Sequence, residues 1–367
     1  MNISLYSLSK QQTTILKGLA IIMIVLHNII HKTNHISENE FDFDPERILR
    51  LFVSFKHSLW FLINGTLTLW GFFGIQLFIF ISGFGLVKQF MNKKPTSYWK
   101  YLLPKVIKIY SLILIGLVFY ALLLFPIGET TLLNYIHTIK SYLLLSKNFS
   151  THTLFITPHA GPWWYFSFII QLYIIFPVLY YFLNKYKEKG FMGMLIISYI
   201  LIYTLTPIAK QHDFPIYANF IGHLPDFIIG MVIAFFKEFR INYKVIIPTL
   251  IIFILSNFYE FAFPLSFASA TILLLVIFYP FYKETKTITA PHKALLFIGQ
   301  ISMFMFVING PLRPYFDDYI YGVSQFRILL VALIHLGLTI LLSYITSIIY
   351  EKFLTKPLNK LIKFVSS

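Results

Sequence analysis

The sequence predicts an all-α, polytopic membrane protein of about ten transmembrane helices with both termini in the cytoplasm, a single unit over 1–367. Three observations carry this. Of 367 residues, 57% are hydrophobic and only 12% charged, with 40 Phe and 24 Tyr. A soluble domain of that size has nowhere to hide so much apolar surface, whereas membrane helices need not hide it. Apolar runs near the roughly 20 residues needed to cross hydrocarbon recur along the chain. The basic residues also alternate in density from one connection to the next.

The runs fall at 13–31, 66–87, 105–127, 162–183, 191–209, 214–236, 245–259, 264–282, 294–312 and 326–350. With the N-terminus inside, 21 of the 30 Lys and Arg lie on the inner side, among them Lys10, Lys88, Lys94, Lys185, Lys237, Lys286 and Lys356. That is the positive-inside asymmetry, and it fixes both termini in the cytoplasm; the expected location is the inner (cytoplasmic) membrane. The net charge of +15 is therefore topology rather than a nucleic-acid surface. The first run is long enough to span and lacks the short core and cleavage site of a signal, so it is expected to be retained. Absence of cysteine excludes disulfides, thiolate ligands and thiol nucleophiles.

Outside, Glu38, Glu40, Asp42, Asp44 and Glu46 form an acidic stretch. ILRLFVSFKHSLWFLI (48–63) follows, with the pattern of an amphipathic interfacial helix. Residues 128–161, with His137, His152 and His159, read either as a lid or as a solvated connector.

The polar residues inside the runs are the candidates for chemistry. In ILKGLAIIMIVLHNIIHK (15–32), Lys17 stands at the inner end and His27 lies ten residues on, about 15 Å along the axis, near or slightly beyond mid-bilayer. His31 shares the His27 face, and Asn28 is turned by roughly 100°. Buried imidazoles read either as a general base lining a polar path or as structural groups satisfied by a neighbouring helix. In GFFGIQLFIFISGFGL (71–86), small residues permit close helix approach and Ser82 offers a hydroxyl. Lys105 and Lys108 in SYWKYLLPKVIKIY (97–110) are one turn apart at the inner mouth, where they anchor to anionic lipid or hold phosphates. Trp163, Trp164 and Tyr165 in GPWWYFSFIIQLYIIFP (161–177) read as an interfacial belt or as a surface on which a sugar stacks. Asp226, three residues after His223 in FIGHLPDFIIGM (220–231), reads as paired with that histidine or with an inner lysine. No coherent metal-ligand set is visible.

Together these segments resemble the integral-membrane acyltransferase 3 family across essentially the whole chain. LKGLAIIMIVLHN is similar to its basic-residue-then-histidine helix, and GIQLFIFISGF to its Gly-x-x-x-Phe-Phe-x-x-Ser-Gly-Phe helix. Lys105 and Lys108 stand at its basic motif, and WWYFSFIIQLYIIFP resembles its Trp-Tyr-Leu helix. FIGHLPDFIIGM, ISMFMFVINGPL and YEKFLTKPL resemble its later segments in order. The resemblance implies a transferase moving an acyl group, usually acetyl, from cytoplasmic acyl-CoA to a hydroxyl of an extracytoplasmic glycan or lipid-linked sugar. His27 would be the base with Asn28 beside it. Lys17, Lys105 and Lys108 would meet the CoA phosphates, Ser82 would line the acyl path, and His31, Trp163, Trp164 and Tyr165 would meet the acceptor. Nine residues separate Lys17 from His27 where many members have ten, so Asn28 stands at the expected histidine, and Asn309 stands where a later histidine is frequent. A transporter or exporter of polysaccharide or its precursors, using the same cavity without making a bond, is the alternative.

Overall fold

The computed structural model describes all residues except 1–2, 6–7, 34–39, 57, 94, 156, 238–239, 284–288 and 367. Glu38, Lys94 and Lys286 thus lie outside the described residues. Nearly every described residue is helical. The first crossing is α1 (Lys10–Ile30), started by a capping box in which Ser9 Oγ accepts from Gln12 N at 3.2 Å and Ser9 N donates to Gln12 Oε1 at 2.8 Å. Helix α2 (Glu46–Ser54) is short and amphipathic, with Leu49, Phe52 and Val53 more than half exposed. Here the expected interfacial helix is shorter than 48–63. Ser58 accepts from Phe61 N at 3.1 Å and caps α3 (Leu59–Trp70), so the second crossing begins seven residues before the apolar window. It passes through a 3₁₀ turn, Gly71–Phe73, into α4 (Gly74–Asn92).

Helix α5 (Tyr98–Leu124) is capped by Ser97. The long outer connection holds α6 (Leu132–Leu143) and α7 (Thr151–Phe155). Trp164–Gln211 forms α8, two crossings joined where Lys187 turns to φ 52° and ψ −122°. The sixth crossing is the least regular, with 3₁₀ turns Ile216–Ala218 and Phe220–His223 before a twelve-residue α9 (Leu224–Phe235). Pro215, Gly222 and Pro225 interrupt there what hydropathy alone reads as one helix. Then come α10 (Tyr243–Phe258), α11 (Leu265–Ile277), the short α12 (Tyr279–Tyr282) and α13 (Ala290–Leu312). After α14 (Asp317–Ile320), the last crossing α15 (Gln325–Ile349) runs through a π-turn, Tyr350–Leu354, into α16 (Thr355–Ser366). Among the described residues six segments are long and apolar enough to span and three shorter helices are apolar; the 53-residue segment carries two crossings. All ten expected runs coincide with helix, and the chain is a multi-pass membrane protein.

Loop contacts agree with the alternation expected from charge. Ile3–Ser4 (β1) pairs antiparallel with Arg240–Ile241 (β2) at one end. Gln12 Nε2 reaches the Tyr282 carbonyl at 3.1 Å on the same side. At the other end Lys32 meets Asp317 at 3.0 Å, Thr151 N meets the Asp213 carbonyl at 2.9 Å and Lys210 meets Glu260 at 3.0 Å.

Two seams hold the bundle. Helix α1 lies most closely on α13, where a Cβ on Gly18 would run into the Leu295 carbonyl and one on Gly299 into the Thr14 carbonyl. Helix α4 lies on α9 in the same manner, Gly83 against the Phe227 carbonyl and Gly230 against the Phe80 carbonyl. Without side chains at these points the backbones approach closely, the main source of helix affinity in lipid.

Gly299→Val is expected to cost about 1–3 kcal/mol through overpacking, read as a lowered unfolding temperature of the solubilised protein. Gly337→Ala, where a Cβ meets nothing within 4 Å, is expected to leave that temperature unchanged or raised.

Candidate active site

His27 stands in the last turn of α1, which ends at Ile30. Its side chain turns into the bundle and is 1% exposed. Opposite is the 3₁₀ turn of the second crossing. Gly71 makes room there, since a Cβ would lie 2.7 Å from His27 Cβ. The ring meets Phe72 edge-on at 5.9 Å and stacks on His31 at 5.1 Å with 19° between planes. His27 Nδ1 is 3.1 Å from the Leu67 carbonyl. A carbonyl only accepts, so Nδ1 carries the proton, and in the neutral ring the lone pair is on Nε2. His31 Nδ1 is fixed likewise by the His27 carbonyl at 3.0 Å.

Asn28 points to α13, where its Nδ2 donates to Asn309 Oδ1 at 2.9 Å. Asn309 Nδ2 donates in turn to the Met305 and Phe306 carbonyls. His335 Nε2 lies 3.3 Å from the Asn309 carbonyl, and Arg313 Nη1 donates to the Asn28 carbonyl at 3.0 Å. Asn28 and Asn309 are therefore two halves of one buried hydrogen bond.

These groups line a cavity of about 180 Å³. Ile24, Ile75 and Phe306 lie deepest. His27, Asn28 and His31 form one wall, Phe72 and Trp164 others, and the half-buried Lys32 and Glu40 with the buried Arg313 supply its charge. Trp164 Nε1 donates to Glu40 Oε1 at 3.1 Å. Burial, then the neighbouring Arg313 charge, pulls Lys32 below the ordinary lysine value, and Asp317 opposes them. The outer connection forms a cover, since Leu154, Gly161 and Pro162 close the cavity. It is seated where the His159 carbonyl rests on Gly310. His159 pairs with Glu129 at 3.2 Å, while His137 and His152 are exposed.

The cover hangs on buried polar groups. Asn148 Nδ2 donates to the Trp164 carbonyl at 3.0 Å and to that of Ala218, and Asn219 Nδ2 donates back to the Asn148 carbonyl at 2.8 Å. Lys147 is fully buried, its Nζ donating to Thr157 Oγ1 at 2.6 Å near the Tyr142 ring. Burial pushes this lysine down to about 7.

The cavity thus brings together His27, Asn28, His31 and Trp164. Trp163 lies behind it, fully buried, donating to the Val307 carbonyl at 3.1 Å and packed on Tyr142. Tyr165 is buried among Phe78, Phe168 and Phe306. Ser82 Oγ donates to the Phe78 carbonyl at 2.8 Å. Lys17, Lys105 and Lys108 belong to the opposite end; Lys105 donates to Gln89 at 3.1 Å above the Tyr101 ring, and Lys108 is exposed. Asp226 is buried with His223, Oδ2 to Nδ1 3.3 Å, and His223 Nε2 donates to the Tyr217 carbonyl at 2.8 Å. Sequence reasoning passed over Leu67, Arg313, Phe41 and Lys147. Leu67 acts through its carbonyl, which side-chain identity does not report. Among the described residues no three His, Cys, Asp or Glu gather as a metal site.

A family model described as an acyltransferase domain, acyltransferase 3, matches residues 13–349. The chain belongs to that family. Comparison with curated proteins and with solved structures gives no match.

A double-mutant cycle with Asn28→Ala and Asn309→Ala is expected to show coupling of about 0.6–1.7 kcal/mol in unfolding free energy, the range of interhelical hydrogen bonds in membranes. Additive losses would dissolve the pair. For Lys147, the folded value of about 7 lies below the unfolded 10.5. Between these the unfolded chain holds a proton that the folded one lacks, so stability rises with pH across that window. Lys147→Met is expected to be more stable than wild type at pH 6, with the gap closing by pH 10 as the melting temperature of only the wild type climbs.

Proposed function

We propose that this membrane acyltransferase takes an acyl group, acetyl by the family resemblance, from acyl-CoA on the cytoplasmic side of the inner membrane. It places the group on a hydroxyl of an extracytoplasmic glycan or lipid-linked sugar, with His27 as general base. The observation that carries this reading is the His27 ring in the wall of a cavity beneath the outer connection, its Nδ1 proton committed to the Leu67 carbonyl. The neutral tautomer then offers Nε2 to an acceptor alcohol. As the hydroxyl oxygen bonds to the thioester carbon, its proton passes to Nε2. Collapse breaks the C–S bond, and the imidazolium returns the proton to the leaving sulfur. The stacked His31 and the edge of Phe72 hold the ring in plane, so little freedom is lost on reaching the transition state. Lys17, Lys105 and Lys108 at the other end are suited to the phosphates of CoA, and Ser82 to the route between.

One observation favours the exporter reading. At the position where the family spacing has the histidine, the Asn28 amide takes no proton and is engaged with Asn309. A pure exporter has no reason to bind CoA, so affinity of the purified protein for CoA separates the two.

In membranes supplied with labelled acyl-CoA and envelope glycan, His27→Ala and His27→Gln are each expected to cut transfer about 10²- to 10⁴-fold, the usual contribution of a general base. Transfer at the wild-type rate would remove His27 from the chemistry.

A further inference from the structure

The cavity above His27 has two neighbours with which it shares walls. Phe41 and Leu154, which close one side of it, are also walls of a second cavity of about 240 Å³ between α7 and the outer end of α8. Phe41, Asp42, Thr206, Lys210 and Tyr217 line both that cavity and a third of about 170 Å³, which reaches Glu260 and Phe261. Each alone is smaller than the roughly 300–1,000 Å³ of a usual small-molecule site, and the three in a row enter that range. The segment 40–43 runs along the row. Phe41 meets Trp164 edge-on at 5.5 Å at the His27 end, and Phe43 meets Phe263 at 5.9 Å at the far end.

The lining is unlike the lipid-facing surface. Asp42, Asp213, Lys210 and Glu260 are all exposed, with Lys210 Nζ 3.0 Å from Glu260. Between them stand Tyr203, its hydroxyl donating to the Phe261 carbonyl, and Phe261 itself, 68% exposed. Aromatic faces alternating with carboxylates and an ammonium suit a sugar ring. Its C–H faces lie against an arene, while its rim of hydroxyls both donates to carboxylates and accepts from ammonium.

We propose that this row is a set of subsites for successive residues of an extended glycan chain, one end of which enters the first cavity and brings its hydroxyl to His27. The acceptor is then a polymer rather than a single lipid-linked sugar. Chemistry at His27 rests on the acyl-transfer reading; binding of the chain rests on the groove alone.

The full-length protein in nanodiscs is titrated, without acyl donor, with envelope polysaccharide of the producing cell, hydrolysed and sized into a monosaccharide pool and a long-oligosaccharide pool, and acyl transfer to each pool is measured in parallel with labelled acyl-CoA added. The long pool is expected to bind at least about tenfold more tightly per chain. Tyr203→Ala and Lys210→Ala are each expected to cut that preference several-fold, and Asp42→Asn with Asp213→Asn to bring it near unity, at unchanged melting temperature. Equal affinity for the two pools, or a preference that survives all the substitutions, overturns the groove. A length preference lost in the variants while no acyl transfer occurs upholds the groove and removes the acyl-transfer reading. Transfer to monosaccharide with no length preference does the reverse.

Discussion

The contact of α1 with α13 is the constraint on which the rest of the site depends. In lipid there is no hydrophobic reward for bringing two apolar helices together, so fit and polar closure must supply it. Towards the inner end the fit comes from Gly18 and Gly299, which let each backbone touch a carbonyl of the other helix. Farther out the same two helices are closed by the Asn28–Asn309 hydrogen bond and by Arg313 on the Asn28 carbonyl. The first contact sets the distance at which the second is made. His27 follows from both, since rotation of α1 is fixed by Asn28 and its separation from the bundle by Gly18. The cover inherits the frame as well, because it rests on Gly310, one residue after Asn309.

Ten helical runs were legible because lipid imposes a length on any apolar segment and a charge bias on its ends. Where the crossings begin and break was less legible. The second starts early because Ser58 offers an N-cap, and the sixth is mostly 3₁₀ turn on its outer side, yet both stretches read as equally apolar. Hydropathy counts residues and is blind to which carbonyl each amide meets. Lys147 shows the same limit. In a polar outer connection a lysine reads as solvated, and only the fold brings Thr157 and Tyr142 around it.

At the site, spacing alone put His27 and His31 on one helix face, and their stacked rings follow from that four-residue step. The Leu67 carbonyl, the group that decides the tautomer, was invisible, because it comes from backbone where α3 passes into the 3₁₀ turn. Asn28 and Asn309 read separately in the sequence, and nothing in their spacing reveals that they are bonded partners 281 residues apart. With Asn309 Nδ2 committed to the Met305 and Phe306 carbonyls, its Oδ1 is left to face the Asn28 amide, which fixes the orientation of both side chains.

The deepest side chains of the cavity, Ile24, Ile75 and Phe306, separate the His27 end from the lysine end, and Tyr165 lies against Phe306 at 5.5 Å. In the proposed reaction an acyl group arriving from the lysine side has to pass that layer. In that reaction the layer would have two duties that a permanently open channel would fail: keeping bulk water from the thioester, which would otherwise be hydrolysed in competition with the acceptor, and keeping the membrane sealed between turnovers. Isoleucine and aromatic side chains suit both, because such a layer is dry when closed and rotation about side-chain bonds would open it without disturbing the close glycine contacts of α1 and α13. The rigid part of the site and the part that must move are thus assigned to different groups, backbone contact for the first and side-chain packing for the second.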